Sequence, residues 1–368
     1  MIPVPAAIQR FPWKLIALLT AITGFGILVL YSAAGGHWSP WALQQSLRYL
    51  VFLGMALVIG RMSLRLFEDF AYLAYIGVAI MLLGVEILGF VGGGAQRWLD
   101  LGFMKLQPSE LMKVAVVVAL ARFYAQLPPG STRSWTALWP ALVLIGIPAV
   151  LVLLQPDLGT TLAICASGVV VMFAAGLPFW WFGSVAIAGA AALPILFSML
   201  HDYQQRRVLI FLDPESDPLG AGYHISQSKI AIGSGGIGGK GFLNGSQSHL
   251  DYLPEGHTDF IFATMAEEWG LIGGIALLFG FYLLLRWSTR VALNARTRFG
   301  QLTATGLTMT IFFYIAINLM MVMGMAPVVG IPLPLFSYGG SSMPSGMGCV
   351  GPLLGVENGA KKGAGRGG

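Results

Sequence analysis

Ser248-His249-Leu250-Asp251-Tyr252-Leu253-Pro254-Glu255-Gly256-His257-Thr258-Asp259-Phe260-Ile261-Phe262 is where this chain changes character. The stretch from His201 to Thr258 is nearly sixty residues and holds much of the charge. After it, from Asp259 to Leu285, runs an apolar stretch interrupted only by Glu267 and Glu268. At 1.5 Å rise per residue such a run is long enough to cross the ~30 Å hydrocarbon core of a bilayer. Asp259 opens it. An acid at that place reads first as an N-cap or first-turn carboxylate facing the helix dipole. Glu267 and Glu268 would lie about 12–14 Å further along the helix. Two acids that deep need partners or a polar cavity.

Working outward, the same apolar signature recurs. Hydrophobic residues make up 56% of the 368 and charged residues 10%, where a soluble domain carries roughly 25% charged. Too few charges remain to solvate a globular surface. Candidate spans lie at 14–33, 45–61, 70–91, 109–126, 137–154, 158–176, 180–200, 259–285, 303–325 and 336–356. The expected fold is an all-α polytopic membrane protein with about ten transmembrane helices. Residues 1–356 would form a single transmembrane domain, with 201–258 a large loop between the seventh and eighth helices and 357–368 a disordered tail. The first apolar run has no small-residue cleavage site after it and reads as a retained helix. Cys165 and Cys349 both lie in apolar runs, which argues against a disulfide framework or a metal cluster.

Orientation follows from Lys and Arg. With the N-terminus inside, cytoplasmic segments hold thirteen of the 21 basic residues, and the opposite loops hold six: Arg97, Lys105, Arg206, Arg207, Lys229 and Lys240. The other two, Arg48 and Lys113, fall within spans. This asymmetry places both termini in the cytoplasm and the 201–258 loop outside.

Charges inside spans are costly and mark function, or else pairs that fix packing. In Gln107-Pro108-Ser109-Glu110-Leu111-Met112-Lys113, Pro and Ser suit a helix start. Glu110 and Lys113 then share a face. Arg48 and Lys113, both near outer helix ends, would suit an anionic headgroup such as a pyrophosphate. Gln155-Pro156-Asp157-Leu158-Gly159-Thr160 reads as a tight turn that puts Asp157 on the same side. Gly233-Ser234-Gly235-Gly236-Ile237-Gly238-Gly239-Lys240-Gly241 lacks the spacing of a phosphate loop and reads as a flexible surface loop.

The motifs together resemble the SEDS family of cell-wall polymerases (RodA, FtsW and SpoVE). The resemblance is carried by 207–214, by 222–236, by Tyr252-Leu253-Pro254-Glu255-Gly256-His257-Thr258-Asp259-Phe260-Ile261-Phe262 and by Glu267-Glu268-Trp269-Gly270. Ala95-Gln96-Arg97-Trp98-Leu99, the 107–113 and 155–160 segments, and Gly330-Ile331-Pro332-Leu333-Pro334-Leu335-Phe336-Ser337-Tyr338-Gly339-Gly340-Ser341-Ser342 add to it. The 240–248 and 330–334 segments follow the elongation, RodA-type pattern. The departure comes after Ser342. Met343-Pro344-Ser345-Gly346-Met347-Gly348-Cys349 and Gly351-Pro352 disfavour a continuous last helix.

The resemblance implies a peptidoglycan glycosyltransferase that polymerises lipid II at the outer face of the bacterial cytoplasmic membrane during cell elongation. Asp259 matches the family's catalytic Asp and would be the general base. Lys113 and Arg48 would stabilise the departing pyrophosphate, with Glu110, Asp157, Ser341 and Ser342 lining the cavity. A divalent cation, Mg2+ or Mn2+, would share the leaving-group role, although no dedicated metal site is visible. No organic cofactor and no nucleic acid are implied. The implied partners are a class B penicillin-binding protein, whose transpeptidase cross-links the new strands, and other membrane proteins of the elongation complex. Two rival readings are a lipid II flippase or other transporter and a non-catalytic scaffold. A transporter should gather its polar groups near the midplane, whereas here they gather at the outer end.

Overall fold

In a computed structural model, the protein is described over residues 12–364, apart from 93–94, 101–104, 129, 200–204, 206–208, 211–212, 214–220, 250–251, 254 and 341. Helices occupy all ten expected spans. They are α1 (Trp13–Ala33), α2 (Trp41–Ile59), α3 (Leu64–Leu88), α4 (Pro108–Gln126), α5 (Trp135–Leu154), α6 (Leu158–Ala174) and α7 (Phe179–Met199). After the loop come α8 (Ala221–Gly235) and the short α9 (Ser246–His249), then α10 (Ile261–Leu293), α11 (Arg298–Val322) and α12 (Ser342–Ala364). By length and composition α1, α2, α3, α5, α10 and α11 are apolar enough to cross a membrane. The chain is an integral, polytopic helical membrane protein. Leu271, Ile272, Ile275, Leu278, Phe279 and Tyr282 all stand exposed on α10. Their spacing of three to four residues makes one lipid-facing stripe.

The core is built around α4, α11 and α12. Thirteen of the 19 residues of α4 are buried, and it packs on α3, α6 and α11. The expectation of an interrupted last helix is corrected. α12 is continuous from Ser342, and it carries residues 357–364, read from sequence as the start of a disordered tail. Pro344 sits in its first turn, where the lost N–H has no intrahelical partner anyway. The glycines serve close packing. A methyl on Gly351 would lie 2.8 Å from Ile59 Cγ2, and one on Gly346 would lie 3.0 Å from Leu335 Cδ2. In lipid, small residues at an interface let helix backbones approach and gain dispersion contacts. Residues 365–368 lie outside the described part.

The all-α expectation needs one addition. Between α3 and α4 the chain forms a small antiparallel sheet, β1 (Phe90–Gly92), β2 (Ala95–Asp100) and β3 (Lys105–Leu106), in the order β1-β2-β3. Its registers pair Phe90 with Trp98 and Leu99 with Leu106.

The largest correction concerns the glycine-rich stretch. α10 is not one rod, because Gly270 sits at φ 63°, ψ −157° and breaks it. A break inside a membrane frees backbone groups that lipid cannot satisfy. Here Leu271 N and Ile272 N donate to Gly236 O (3.0 Å) and Ile237 O (3.2 Å). Glu267 O and Glu268 O in turn accept from Lys240 N (2.9 Å) and Gly241 N (3.0 Å). The stretch read as a flexible surface loop is therefore a backbone clasp on a broken helix. Its glycines are required because any Cβ on Gly235, Gly239 or Gly270 would overlap the facing backbone.

The two deep acids complete the clasp. Glu267 is fully buried and accepts from Lys240 Nζ (2.6 Å), Ser246 Oγ (3.1 Å) and Gln247 N (3.0 Å). Ser32 Oγ donates to Glu268 and accepts from Leu243 N at 3.2 Å.

Candidate functional site

Every segment that lines the main cavity lies at one end of the bundle. With ten alternating crossings, the 89–107, 155–157, 200–260 and 323–341 connections share a side, and each that is described contributes. The cavity is about 600 Å³ and is lined by Arg97, Trp98, Gln107, Glu110, Asp157, Thr160, Glu255, Thr258, Asp259, Tyr314, the 328–332 segment and the 338–340 segment, among others.

Asp259 is not a helix cap. α10 begins at Ile261 with Phe260 in the capping position, and no side chain caps it. Asp259 stands before the first helical turn and is only partly buried. Its Oδ2 is 3.5 Å from where a Cβ on Gly330 would be. Gly330 has φ +71°, a conformation that favours glycine, so the 330–332 segment runs close against the carboxylate.

Asp157 does cap. Its carboxylate accepts from Thr160 N (3.0 Å), Thr160 Oγ1 (2.9 Å) and Gln107 Nε2 (3.1 Å). It lines the cavity as a fixed wall, with its acceptor capacity largely used. Glu110 also lines the cavity. Lys113, expected beside it, is one layer back and 1% exposed. Its Nζ pairs with Glu110 Oε2 at 2.8 Å and donates to Tyr314 Oη. Arg48 likewise lies behind the wall. Its guanidinium sits 4.8 Å from the ring centroid of Tyr338, and its buried Nη1 has no hydrogen-bond partner among the described residues. Ser342 Oγ donates to Ser337 O at 3.0 Å and ties the start of α12 rather than lining the cavity. Ser341 lies outside the described residues.

Sequence reasoning counted Arg97 only as an outer-loop charge, yet it is a cation of the cavity wall. Its Nε donates to Gln155 O at 3.0 Å and its Nη2 to Pro156 O. A guanidinium has five donors, so Arg97 can be anchored on the carbonyls of the turn that follows α5 and still offer N–H groups to a ligand. The motif 95–99 carried the signal, and the short hairpin that presents it did not show in the pattern. Trp98 covers Gly340, where an added Cβ would meet the ring at 3.3 Å.

His257 braces the rim. It stacks on Trp41 at 4.1 Å between centroids and 10° between planes, and its carbonyl accepts from Tyr338 N at 3.0 Å. Burial pushes its pKa below the usual histidine value, with Glu255 acting the other way.

The profile of the family described as cell cycle protein, FtsW/RodA/SpoVE, matches residues 12–362. The chain belongs to this family. It is 46% identical over 336 residues to the peptidoglycan glycosyltransferase MrdB of Escherichia coli K12, covering 89% of this chain and 88% of that one. Identity to the probable peptidoglycan glycosyltransferase FtsW of Trichlorobacter lovleyi is 34%, covering 97% and 96%. Among solved structures, one chain of a peptidoglycan synthase complex aligns with a TM-score of 0.79 at 33% identity, over 95% of this chain and 98% of that chain. The Rod shape determining protein RodA of Thermus thermophilus aligns at 0.70 and 30%, over 95% and 97%.

Proposed function

We propose that this protein is a RodA-type peptidoglycan glycosyltransferase that polymerises lipid II at the outer face of the cytoplasmic membrane during cell elongation. The observation that carries this reading is Asp259, a carboxylate that caps no helix and opens into a cavity it shares with Arg97. The names of the relatives support the reaction class.

The reaction transfers the growing glycan from its lipid pyrophosphate to the 4-hydroxyl of the incoming disaccharide. The new C–O bond forms at the anomeric carbon as the bond to pyrophosphate breaks, with inversion. Asp259 takes the hydroxyl proton as general base. The leaving pyrophosphate needs positive charge where its own charge develops, and Arg97 offers donors inside the cavity. Lys113 acts from one layer back through Glu110 and Tyr314, and Arg48 through Tyr338. The donor set does not fit a resident metal. Among the described residues no group of three or more metal-ligating side chains occurs, and Asp157 is already held by three donors. A divalent cation would then arrive with the pyrophosphate.

The test is polymerisation of labelled lipid II by the purified protein, with and without a class B penicillin-binding protein, the partner we propose. Glycan strands are expected, and more of them with the partner. No strands under either condition would overturn the assignment.

The assignment also requires the cavity outside and both termini in the cytoplasm. A Cys at Asn244, which is exposed beside the clasp, is expected to react with an impermeant thiol reagent in intact cells. A Cys at the exposed Asn294 is expected to react only after the membrane is opened. The reverse pattern would put the cavity in the cytoplasm and overturn the proposed site.

A further inference from the structure

Among the buried polar residues of α11, Tyr314 and Asn318 lie four positions apart and so on one face. Tyr314 Oη accepts from Lys113 Nζ. Asn318 is fully buried, and its Nδ2 donates to Asp259 O at 2.9 Å and to Ile331 O at 2.7 Å. Those two carbonyls belong to two neighbouring wall segments, one leading into α10 and the other the 330–332 segment. Both amide hydrogens are used. A carbonyl can only accept, so the amide cannot be turned round. Its Oδ1 is left buried with no hydrogen-bond partner among the described residues. An unmatched polar atom is costly in the interior of a membrane helix bundle, and an apolar side chain would avoid that cost. The two carbonyls give the amide its reason to be there.

Asp259 lies before the first turn of α10; the N–H of its peptide, on Phe260, donates to Glu255 O at 3.2 Å, and its carbonyl accepts from Asn318 rather than from the helical ladder. The neighbouring wall is only a van der Waals contact away, at Gly330. Where the carboxylate points therefore depends on how peptide 259 is held.

We propose that Asn318 is a positioning residue for the reaction: its two donors hold the Asp259 peptide against the 330–332 segment and so aim the carboxylate at the acceptor hydroxyl. This rests on the reading of Asp259 as the base. Asn318 does not line the cavity and touches no substrate. With Tyr314 holding Lys113, α11 becomes a rack that sets the base and the buried cation from one helix face.

The test compares Asn318→Leu, Asn318→Gln, Asp259→Asn and the Asp259→Asn/Asn318→Leu double variant, as full chains with the partner, on labelled lipid II. Asn318→Leu is expected to lower kcat by ~10–100-fold, since about 1 Å of misplacement can cost that much. KM for lipid II should stay unchanged, and the acid limb of the kcat–pH profile should move. Asn318→Gln keeps both donors and should restore part of kcat. In the double variant, Asn318→Leu should add no loss, because residues that act through one group are not additive. If Asn318→Leu does not fold, Asn318→Asp, of the same size but without the amide donors, carries the same comparison. Unchanged kcat and pH profile per folded molecule, with only a lower thermal midpoint, would overturn the positioning role while leaving Asp259 as base. Near-normal turnover by Asp259→Asn alone would remove the base, and the positioning role with it.

Discussion

Asp259→Asn is expected to insert, fold and bind its partner as the parent does, yet to polymerise lipid II ~10²–10⁴-fold more slowly, the usual contribution of a general base. The substitution keeps the shape of the side chain and removes its ability to accept a proton. The backbone carbonyl of residue 259, which receives the Asn318 amide, is untouched. Asn caps a helix about as well as Asp, so a capping role would have made the change mild. In the structure the N-cap of α10 is Phe260, whose side chain makes no capping bond. Initial rates of strand formation, normalised to folded protein by size-exclusion profile, make the measurement. Rates within a few-fold of the parent would remove Asp259 as the base.

Gly270→Ala is expected to unfold the half of the bundle that carries the clasp. Two effects add. First, φ 63° with ψ −157° is a region that is essentially glycine's alone, and holding another residue there costs on the order of 1–3 kcal/mol. Second, the new methyl would stand 2.6 Å from Ile237 O and overlap Gly239 N. Neither neighbour can yield without breaking the hydrogen bonds from Leu271 N and Ile272 N to the clasp. Together the loss should reach about 3 kcal/mol or more, in the range that marks a named structural failure rather than an ordinary substitution. Gly274→Ala provides the control on the same helix. Its added methyl would meet only Phe262 Cζ, at an ordinary 3.9 Å, so Gly274→Ala should be neutral or slightly stabilising. Thermal unfolding in detergent checks the pair. Equal midpoints for the two variants would mean that the clasp does not support the fold.

The sequence by itself determined the membrane architecture. Runs of about 20 apolar residues carry their own reading because the bilayer thickness sets their length. The Lys and Arg asymmetry gives the expected orientation in the same local way. The family motifs singled out Asp259, Glu110 and Asp157, and all three line the cavity.

What only the tertiary structure decided is how backbones meet. The glycines of 233–241 read as looseness because, in a single segment, glycine signals conformational freedom. Across the fold the same glycines permit close approach to a broken α10. The glycines of α12 read as helix breakers, although their missing side chains make room for Ile59 and Leu335. Lys113 and Arg48 carried the right charge at the right end of the bundle. Which cation reaches the cavity depends on packing in the second layer, where Tyr314 and Tyr338 hold them, and on a hairpin too short to leave a periodic pattern, which puts Arg97 in the wall. Asn318 could not be found from sequence at all. One Asn in an apolar helix gives no sign of which carbonyls it will meet, and the two it bonds lie 59 and 13 residues away.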